Sequence, residues 1–218
     1  MGKYKVVEKF VSINGEAKKA GELACFIRFA GCNLNCSYCD TRYGCVGNNY
    51  TEMSVKEICQ KVIDLGLNRV TITGGEPLIH ESIIELIKAL DDAYFDINIE
   101  TNGSVAFLPF VYAISGAWVT MDYKCPSSGM EDNMVLKNLK DLRVRDVLKF
   151  VVGSEEDLEA AKYIIDTYHP RSRIYLSPVF GKIEAKDIVK FVLDNNLSSV
   201  YTQVQLHKII WDPDMKGV

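Results

Sequence analysis

Short runs rich in β-branched and aromatic residues alternate with amphipathic helical segments from one end of this sequence to the other. The runs at residues 5–10, 25–30, 69–73, 96–100, 117–122, 147–152, 174–177 and 200–205 are read as strands. Two of the intervening helices have legible ends. Ser54 and Glu57 form a capping box, Val55, Ile58, Cys59, Val62 and Leu65 make one apolar face, and Gly66 ends the helix. Ser154 caps a second helix carrying Leu158, Ala161, Ile164, Ile165 and Tyr168, with Pro170 as its stop. Its acidic first turn, Glu155-Glu156-Asp157, is expected to face solvent, where the helix dipole favours it. Further helices are expected near residues 81–90 and 184–193.

This alternation implies parallel β/α units joined by right-handed crossovers. The strands read as apolar on both faces, as strands covered on both sides should. Five helices or fewer do not make a closed eight-fold barrel, so the expected architecture is α/β, an open partial (β/α) barrel with abridged helices. It is expected to occupy residues 1–218 as a single domain, because no repeat or Pro/Gly/Ser-rich linker divides the chain. In such folds ligands collect beyond the carboxyl ends of the strands, and every motif described below is expected at such an end. A chain of 218 residues buries enough surface to need no disulfide staples. The net charge of -4 offers no basic excess for nucleic acid. No apolar run approaches the ~20 residues of a membrane span, and the N-terminus has no signal-peptide core. The expectation is a soluble, cytoplasmic protein with neither a membrane nor a nucleic-acid partner.

Seven cysteines, an odd number in a reducing compartment, argue for metal binding or catalysis over a disulfide framework. Cys32, Cys36 and Cys39 stand at C-x3-C-x2-C spacing directly after a strand ending at Gly31. Thiolates this close can bind one metal centre without long-range folding constraints. Three ligands would leave one iron of a [4Fe–4S] cluster open to a small molecule. Cys45 as a fourth cluster ligand, or a zinc site completed by Cys45, His80 or His169, are the alternatives, although zinc knuckles prefer paired cysteines and no second pair exists. Cys59, on a helix's apolar face, reads as a small core residue. A second motif, Thr73-Gly74-Gly75-Glu76-Pro77, delivers two glycines at a strand end, where missing side chains let backbone approach a ligand. Taken alone it could equally be a tight β/α turn.

C-x3-C-x2-C with aromatic Tyr38 before its last cysteine resembles the radical S-adenosylmethionine enzymes, and the Gly-Gly-Glu-Pro turn resembles their site for the S-adenosylmethionine amino group. The resemblance implies a [4Fe–4S] cluster on Cys32, Cys36 and Cys39, with S-adenosylmethionine chelating the open iron. It further implies a radical that abstracts hydrogen from substrate, the cofactors carrying the chemistry while the protein positions them. Three features narrow the resemblance to the 7-carboxy-7-deazaguanine synthase family: Ile13-Asn14-Gly15-Glu16 upstream, Arg28 within the cluster strand, and Asp40-Thr41 after the last cysteine. That family contracts the ring of 6-carboxytetrahydropterin with loss of ammonia, a carbon–nitrogen lyase reaction on the route to queuosine and related deazapurines.

The family resemblance implies substrate contacts from Ile13, Asn14, Gly15, Glu16, Arg28, Thr73 and His207. A guanidinium can hold the pterin carboxylate bidentately, although Arg28 could also be an exposed or ion-paired strand residue. Cofactor contacts are implied for Tyr38, Asp40, Gly74, Gly75, Glu76, Asp122, Tyr123 and Lys124. Thr41 resembles a Mg²⁺ ligand, with Asp40 either water-bridged to the ion or orienting Thr41. Glu100 and Asn102 are expected to face the same cavity. Gln205 and His207 are expected to end the last strand, and the Val218 carboxylate lies close enough in sequence to join the site. Asn14 departs from the family's Gln, which puts a direct side-chain contact there in doubt. A homodimer and an electron donor such as flavodoxin are also implied. Two rivals stand beside this reading. A glycyl-radical-enzyme activase would usually follow its last cysteine with Asn-Pro, not Asp-Thr. An iron–sulfur or zinc scaffold would not need the Gly-Gly-Glu-Pro turn.

Overall fold

The computed structural model describes residues 3–45, 49–106 and 114–218. Nine strands form one sheet: β1 (Lys3–Ile13), β2 (Leu23–Phe29), β3 (Thr51–Ser54), β4 (Arg69–Gly74), β5 (Asp96–Thr101), β6 (Ala117–Tyr123), β7 (Val147–Val152), β8 (Arg173–Pro178) and β9 (Val200–Thr202). Their order is β3-β1-β2-β4-β5-β6-β7-β8-β9, a sheet that curls without closing, as a partial barrel should. From β2 onward through β4 to β9 every neighbouring pair is parallel.

The first strands depart from the parallel expectation, because β1 runs antiparallel to both β2 and β3. The link between β1 and β2 is too short for the dozen or so residues that a parallel crossover requires. Its direction sends residues 14–22 to the end of the barrel opposite the cluster loop, where Ala17 packs on Trp118, Val147 and Tyr175 and plugs the barrel. The Ile13–Glu16 motif therefore does not stand at the carboxyl mouth of the parallel strands, as expected. It forms the floor beneath that mouth.

Strand pleat divides the sheet into two unlike faces. Cys25, Ile27 and Phe29, then Ile72, Ile97, Ile99, Leu148 and Phe150, point outward into one apolar core. The helices covering that face are α2 (Val55–Asp64), α3 (Ile83–Asp92), α5 (Glu155–Tyr168) and α6 (Ala185–Asp194), with Leu86, Leu90, Leu158 and Ile164 among their buried residues. At about 1.5–3 kcal/mol for each large side chain buried, this outer layer supplies the main driving force. The inner face instead carries Arg28, Thr73, Asn98, Thr120, Asp122, Lys149 and Ser177. The expectation of strands apolar on both faces is thus corrected: the face turned away from the helices surrounds a polar cavity, and polar groups there can meet water or ligand.

Both capped helices form as expected. Ser54 Oγ accepts from Glu57 N while Ser54 N donates to Glu57. Asp157 N donates to Ser154 Oγ, and the helix ends at His169 in the left-handed region. Asp157 itself is not solvated. It is fully buried and accepts from Ser127 N (2.8 Å) and Gly153 N (2.6 Å), tying α5 to the loop after β6. The short helices α1 (Arg42–Cys45), α4 (Lys137–Asp141) and α7 (Leu206–Ile210) carry too little periodicity to be read from sequence. His207 therefore lies in α7 and Gln205 precedes it, neither of them in the last strand. The strand stops at Thr202 because the chain turns towards the plug, where Leu206 N donates to Gly15 O (3.0 Å) and Ala17 N to Gln203 Oε1 (2.8 Å).

Candidate active site

A cavity of about 760 Å³ occupies the barrel. Its lining includes Cys32, Cys36 and Cys39, then Tyr38, Asp40 and Thr41, the Gly74–Gly75 turn, and Asp122 and Lys124. Ile13, Gly15, Glu16, Arg28, Thr73 and His207 line it too, with Glu100, Asn102, Gln205 and Val218. Most residues singled out in the sequence thus share one chamber, although they come from nearly every strand.

Cys45 also lines this chamber, its Sγ 4.0 Å from that of Cys39. Hydrogen bonding with Cys45 draws the Cys32 and Cys39 thiols down to about 6, towards the thiolate form that ligates metal. Among the described residues, no group of three or more His, Cys, Asp or Glu side chains, Cys32, Cys36 and Cys39 included, stands arranged to hold a metal ion. His80 packs against Phe29, and His169 caps α5.

The Gly-Gly-Glu-Pro turn lies directly against the cluster strand. Gly75 N donates to Phe29 O (3.1 Å) and Glu76 N to Gly31 O (2.9 Å). A Cβ on Gly75 would stand 1.9 Å from Gly31 O, so the missing side chain is demanded by the protein's own packing. Glu76 departs from expectation. It is fully buried outside the cavity lining, where Oε1 accepts from Leu78 N and Thr101 Oγ1 (both 2.9 Å) and Oε2 from Asn102 N (2.6 Å). Held by three protein donors, this carboxylate joins the ends of β4 and β5, with one acceptor site on Oε2 left over. Burial pushes its pKa up to about 7, against the opposing pull of those hydrogen bonds. Because the folded value lies above that of the unfolded chain, Glu76 favours folding at low pH, and this contribution is lost as pH rises towards 7. Denaturant unfolding of the metal-free protein at pH 5 and pH 8 should therefore show the wild type losing up to about 3 kcal/mol relative to Glu76→Gln. A pH-independent difference would contradict this account.

Pleat corrects two further expectations. Tyr123 points away from Asp122 and Lys124, into the core, with its ring 5.4 Å from that of Phe150. Asn14 is spent on structure: its Nδ2 donates to Glu22 O and its Oδ1 accepts from Thr71 Oγ1 (both 3.0 Å), away from the cavity.

Glu16 faces the cavity but is heavily committed. It accepts from Ser177 Oγ (2.8 Å), Lys149 Nζ (2.9 Å) and Gln205 Nε2 (3.4 Å), joining the plug to β7, β8 and α7. Lys149 was not identified from the sequence. Burial alone would lower its pKa, but Glu16 and Asp122 (3.7 Å) outweigh that and hold it charged. A single lysine within Val147–Val152, an otherwise apolar strand, was the available signal. Beside it, Lys124 pairs with Asp122 Oδ2 (3.0 Å), while Asp122 Oδ1 is buried without a partner. His207 packs on the plug, since a Cβ on Gly15 would stand 2.1 Å from its Nδ1. Thr41 Oγ1 donates to Asp40 Oδ1 (2.9 Å), and Lys208 reaches Asp40 Oδ2 (3.3 Å).

Comparison with known proteins gives the family and the fold. Residues 26–112 match the Radical SAM superfamily. The chain is 50% identical to the 7-carboxy-7-deazaguanine synthase of Clostridium acetobutylicum, over 99% of each chain. With the synthase of that name from Methanospirillum hungatei it shares 40% identity, over 96% of this chain and 86% of the relative. The chain belongs to the 7-carboxy-7-deazaguanine synthase family. As a member of that family it is a radical S-adenosylmethionine enzyme. Its fold is shared with QueE from Escherichia coli, at a TM-score of 0.76 and 24% identity over 93% of this chain and 94% of that one. More distantly, it resembles Streptococcus suis SuiB bound to S-adenosylmethionine, at a TM-score of 0.57 and 14% identity over 85% of this chain and 50% of that one. In this chain Glu76, Tyr123 and Asn14 lie outside the chamber's lining, while Gly74–Gly75, Asp122 and Arg28 form part of its wall.

Proposed function

We propose that this chain makes 7-carboxy-7-deazaguanine by radical ring contraction of 6-carboxytetrahydropterin, with ammonia lost as in a carbon–nitrogen lyase. The observation that carries the reading is the single chamber collecting three thiols, the Gly-Gly turn, Arg28 and Thr41. Those residues suit the cofactors that family membership implies: the lowered thiols of Cys32 and Cys39, with Cys36 beside them, suit a [4Fe–4S] cluster, although burial raises the Cys36 thiol, and the unpartnered Asp122 oxygen suits the hydroxyl donors of S-adenosylmethionine. Tyr38, Asp40 and Lys124 would complete the S-adenosylmethionine side of the chamber. When bound, these groups supply a radical able to take hydrogen from carbon.

The chain's own part is to bind and orient. Arg28 would hold the pterin carboxylate, charge against charge in a chamber of low dielectric. The Thr41 hydroxyl, steadied by Asp40, would anchor Mg²⁺, with substrate oxygens and water filling the rest of its octahedron. Ile13, Gly15, Thr73 and His207 would shape the walls around the ring. An electron donor of the flavodoxin type, a homodimer and a cytoplasmic setting complete the proposal. No helix among the described residues is long and apolar enough to cross a membrane.

The test is anaerobic reconstitution of the cluster, followed by reductant, S-adenosylmethionine, Mg²⁺ and 6-carboxytetrahydropterin, with products followed by mass spectrometry. 7-Carboxy-7-deazaguanine is the expected product. Thr41→Ala should raise the Mg²⁺ concentration for half-maximal rate by at least about tenfold. Accumulation of 5′-deoxyadenosine alone would keep the radical chemistry and reject the substrate, and an unchanged Mg²⁺ dependence in Thr41→Ala would reject that anchor.

A further inference from the structure

The wall that carries Arg28 contains an arrangement that the proposed reaction does not by itself explain. Glu8 on β1 is the register partner of Arg28 on β2, so both side chains leave the sheet on its cavity face. Two residues further along β1, Phe10 stacks on Phe26 across the same pair of strands, ring centroids 5.0 Å apart, and closes one flank. Glu8 Oε1 accepts from Arg28 Nε at 2.6 Å and from Tyr43 Oη at 2.7 Å. One carboxylate oxygen thus holds both the β2 guanidinium and the turn that follows Thr41.

The ion pair uses the inner nitrogen of the guanidinium. Among the described residues, Nη1 and Nη2 make no hydrogen bond to protein, and they are not among the buried polar atoms lacking a partner. Arg28 lines the chamber, so these two nitrogens open into it. A free arginine samples many rotamers, whereas one tethered through Nε presents its remaining edge in one plane. That edge can meet a carboxylate with two parallel N–H···O bonds.

We propose that Glu8 is a positioning residue. With Tyr43 it fixes Arg28 through Nε, so that the two terminal nitrogens form a preset fork selecting pterins that carry a carboxylate. The inference deepens the proposed function and rests on its assignment of Arg28 to the substrate carboxylate. It predicts a specific form of damage. Loss of Glu8 should weaken recognition of the carboxylate, leaving the rest of the chamber intact.

The experiment compares equilibrium binding of two stable probes, 6-carboxypterin and pterin without the carboxylate, to the full chain with reconstituted cluster and S-adenosylmethionine. Steady-state kcat and KM with 6-carboxytetrahydropterin are measured on the same variants. Glu8→Ala should weaken 6-carboxypterin by about tenfold, leave plain pterin unchanged, and raise KM more than it lowers kcat. Glu8→Gln, which keeps an acceptor, should restore most of the affinity, and Tyr43→Phe should show a smaller loss of the same kind. If Glu8→Ala fails to fold, Glu8→Leu, which removes the acceptor and keeps the side-chain volume, takes its place and should still lose preference for the carboxylated probe. Equal weakening of both probes would reduce Glu8 to a structural ion pair and overturn the proposal, as would unchanged binding of both. Arg28→Ala separates the two levels. If it leaves the preference for 6-carboxypterin intact, the reading of Arg28 itself fails; if it abolishes the preference while the Glu8 variants do not, only the role of Glu8 fails.

Discussion

Cys36→Ala should reduce both 5′-deoxyadenosine and deazaguanine formation to background, a loss of at least about a thousandfold, with reconstituted iron content falling in parallel. The argument is one of ligand number. A cluster held by three thiolates has no redundant attachment, and Cys36 is buried at the chamber's edge between its two partners. Cys45 is the informative control, because its sulfur also reaches the chamber. Cys45→Ala should keep the cluster and most of the turnover if Cys32, Cys36 and Cys39 form the complete ligand set. The opposite pattern, iron retained in Cys36→Ala and lost in Cys45→Ala, would reassign the ligands.

Lys149→Ala should cost about 3–5 kcal/mol of stability, measured by urea unfolding of the metal-free protein. The side chain stands 2.9 Å from Glu16 and 3.7 Å from Asp122, and all three are largely withdrawn from water. Removing the ammonium leaves Glu16 with only the Ser177 hydroxyl and the Gln205 amide as donors. An uncompensated buried carboxylate is costly, whereas the intact pair is not strongly stabilising in itself. Accordingly, Lys149→Met combined with Glu16→Gln should recover much of the loss, since it removes both charges and keeps the volume. A loss below about 1 kcal/mol in Lys149→Ala would mean that water reaches Glu16 freely.

Much of this architecture was legible because its signals are local. The capping box at Ser54 and Glu57 occupies one helical turn and the apolar stripe of α5 about three, and both formed where expected. The same locality hid other features. Tyr123 lies between two cavity residues in sequence, yet strand pleat turns it to the other side of the sheet. Glu76 stands in a motif that suggests a ligand, yet donors at the end of β5 bury it outside the cavity lining.

The sequence alone determined the β/α alternation and the cluster loop, because a helix face repeats over a few residues and three thiols at C-x3-C-x2-C spacing need no distant partner. Tertiary structure decided which charges meet. Glu16 and Lys149 are 133 residues apart, and Glu8 and Arg28 are 20 apart on strands whose register no periodicity specifies. It also decided that residues 14–22 plug the barrel from below and that α7 takes His207 out of the last strand. The physical reason is that an inward-facing polar residue has the same local pattern as a solvent-facing one. Only closure of the sheet around a cavity, with its demand that every buried charge find a counterpart, distinguishes the two.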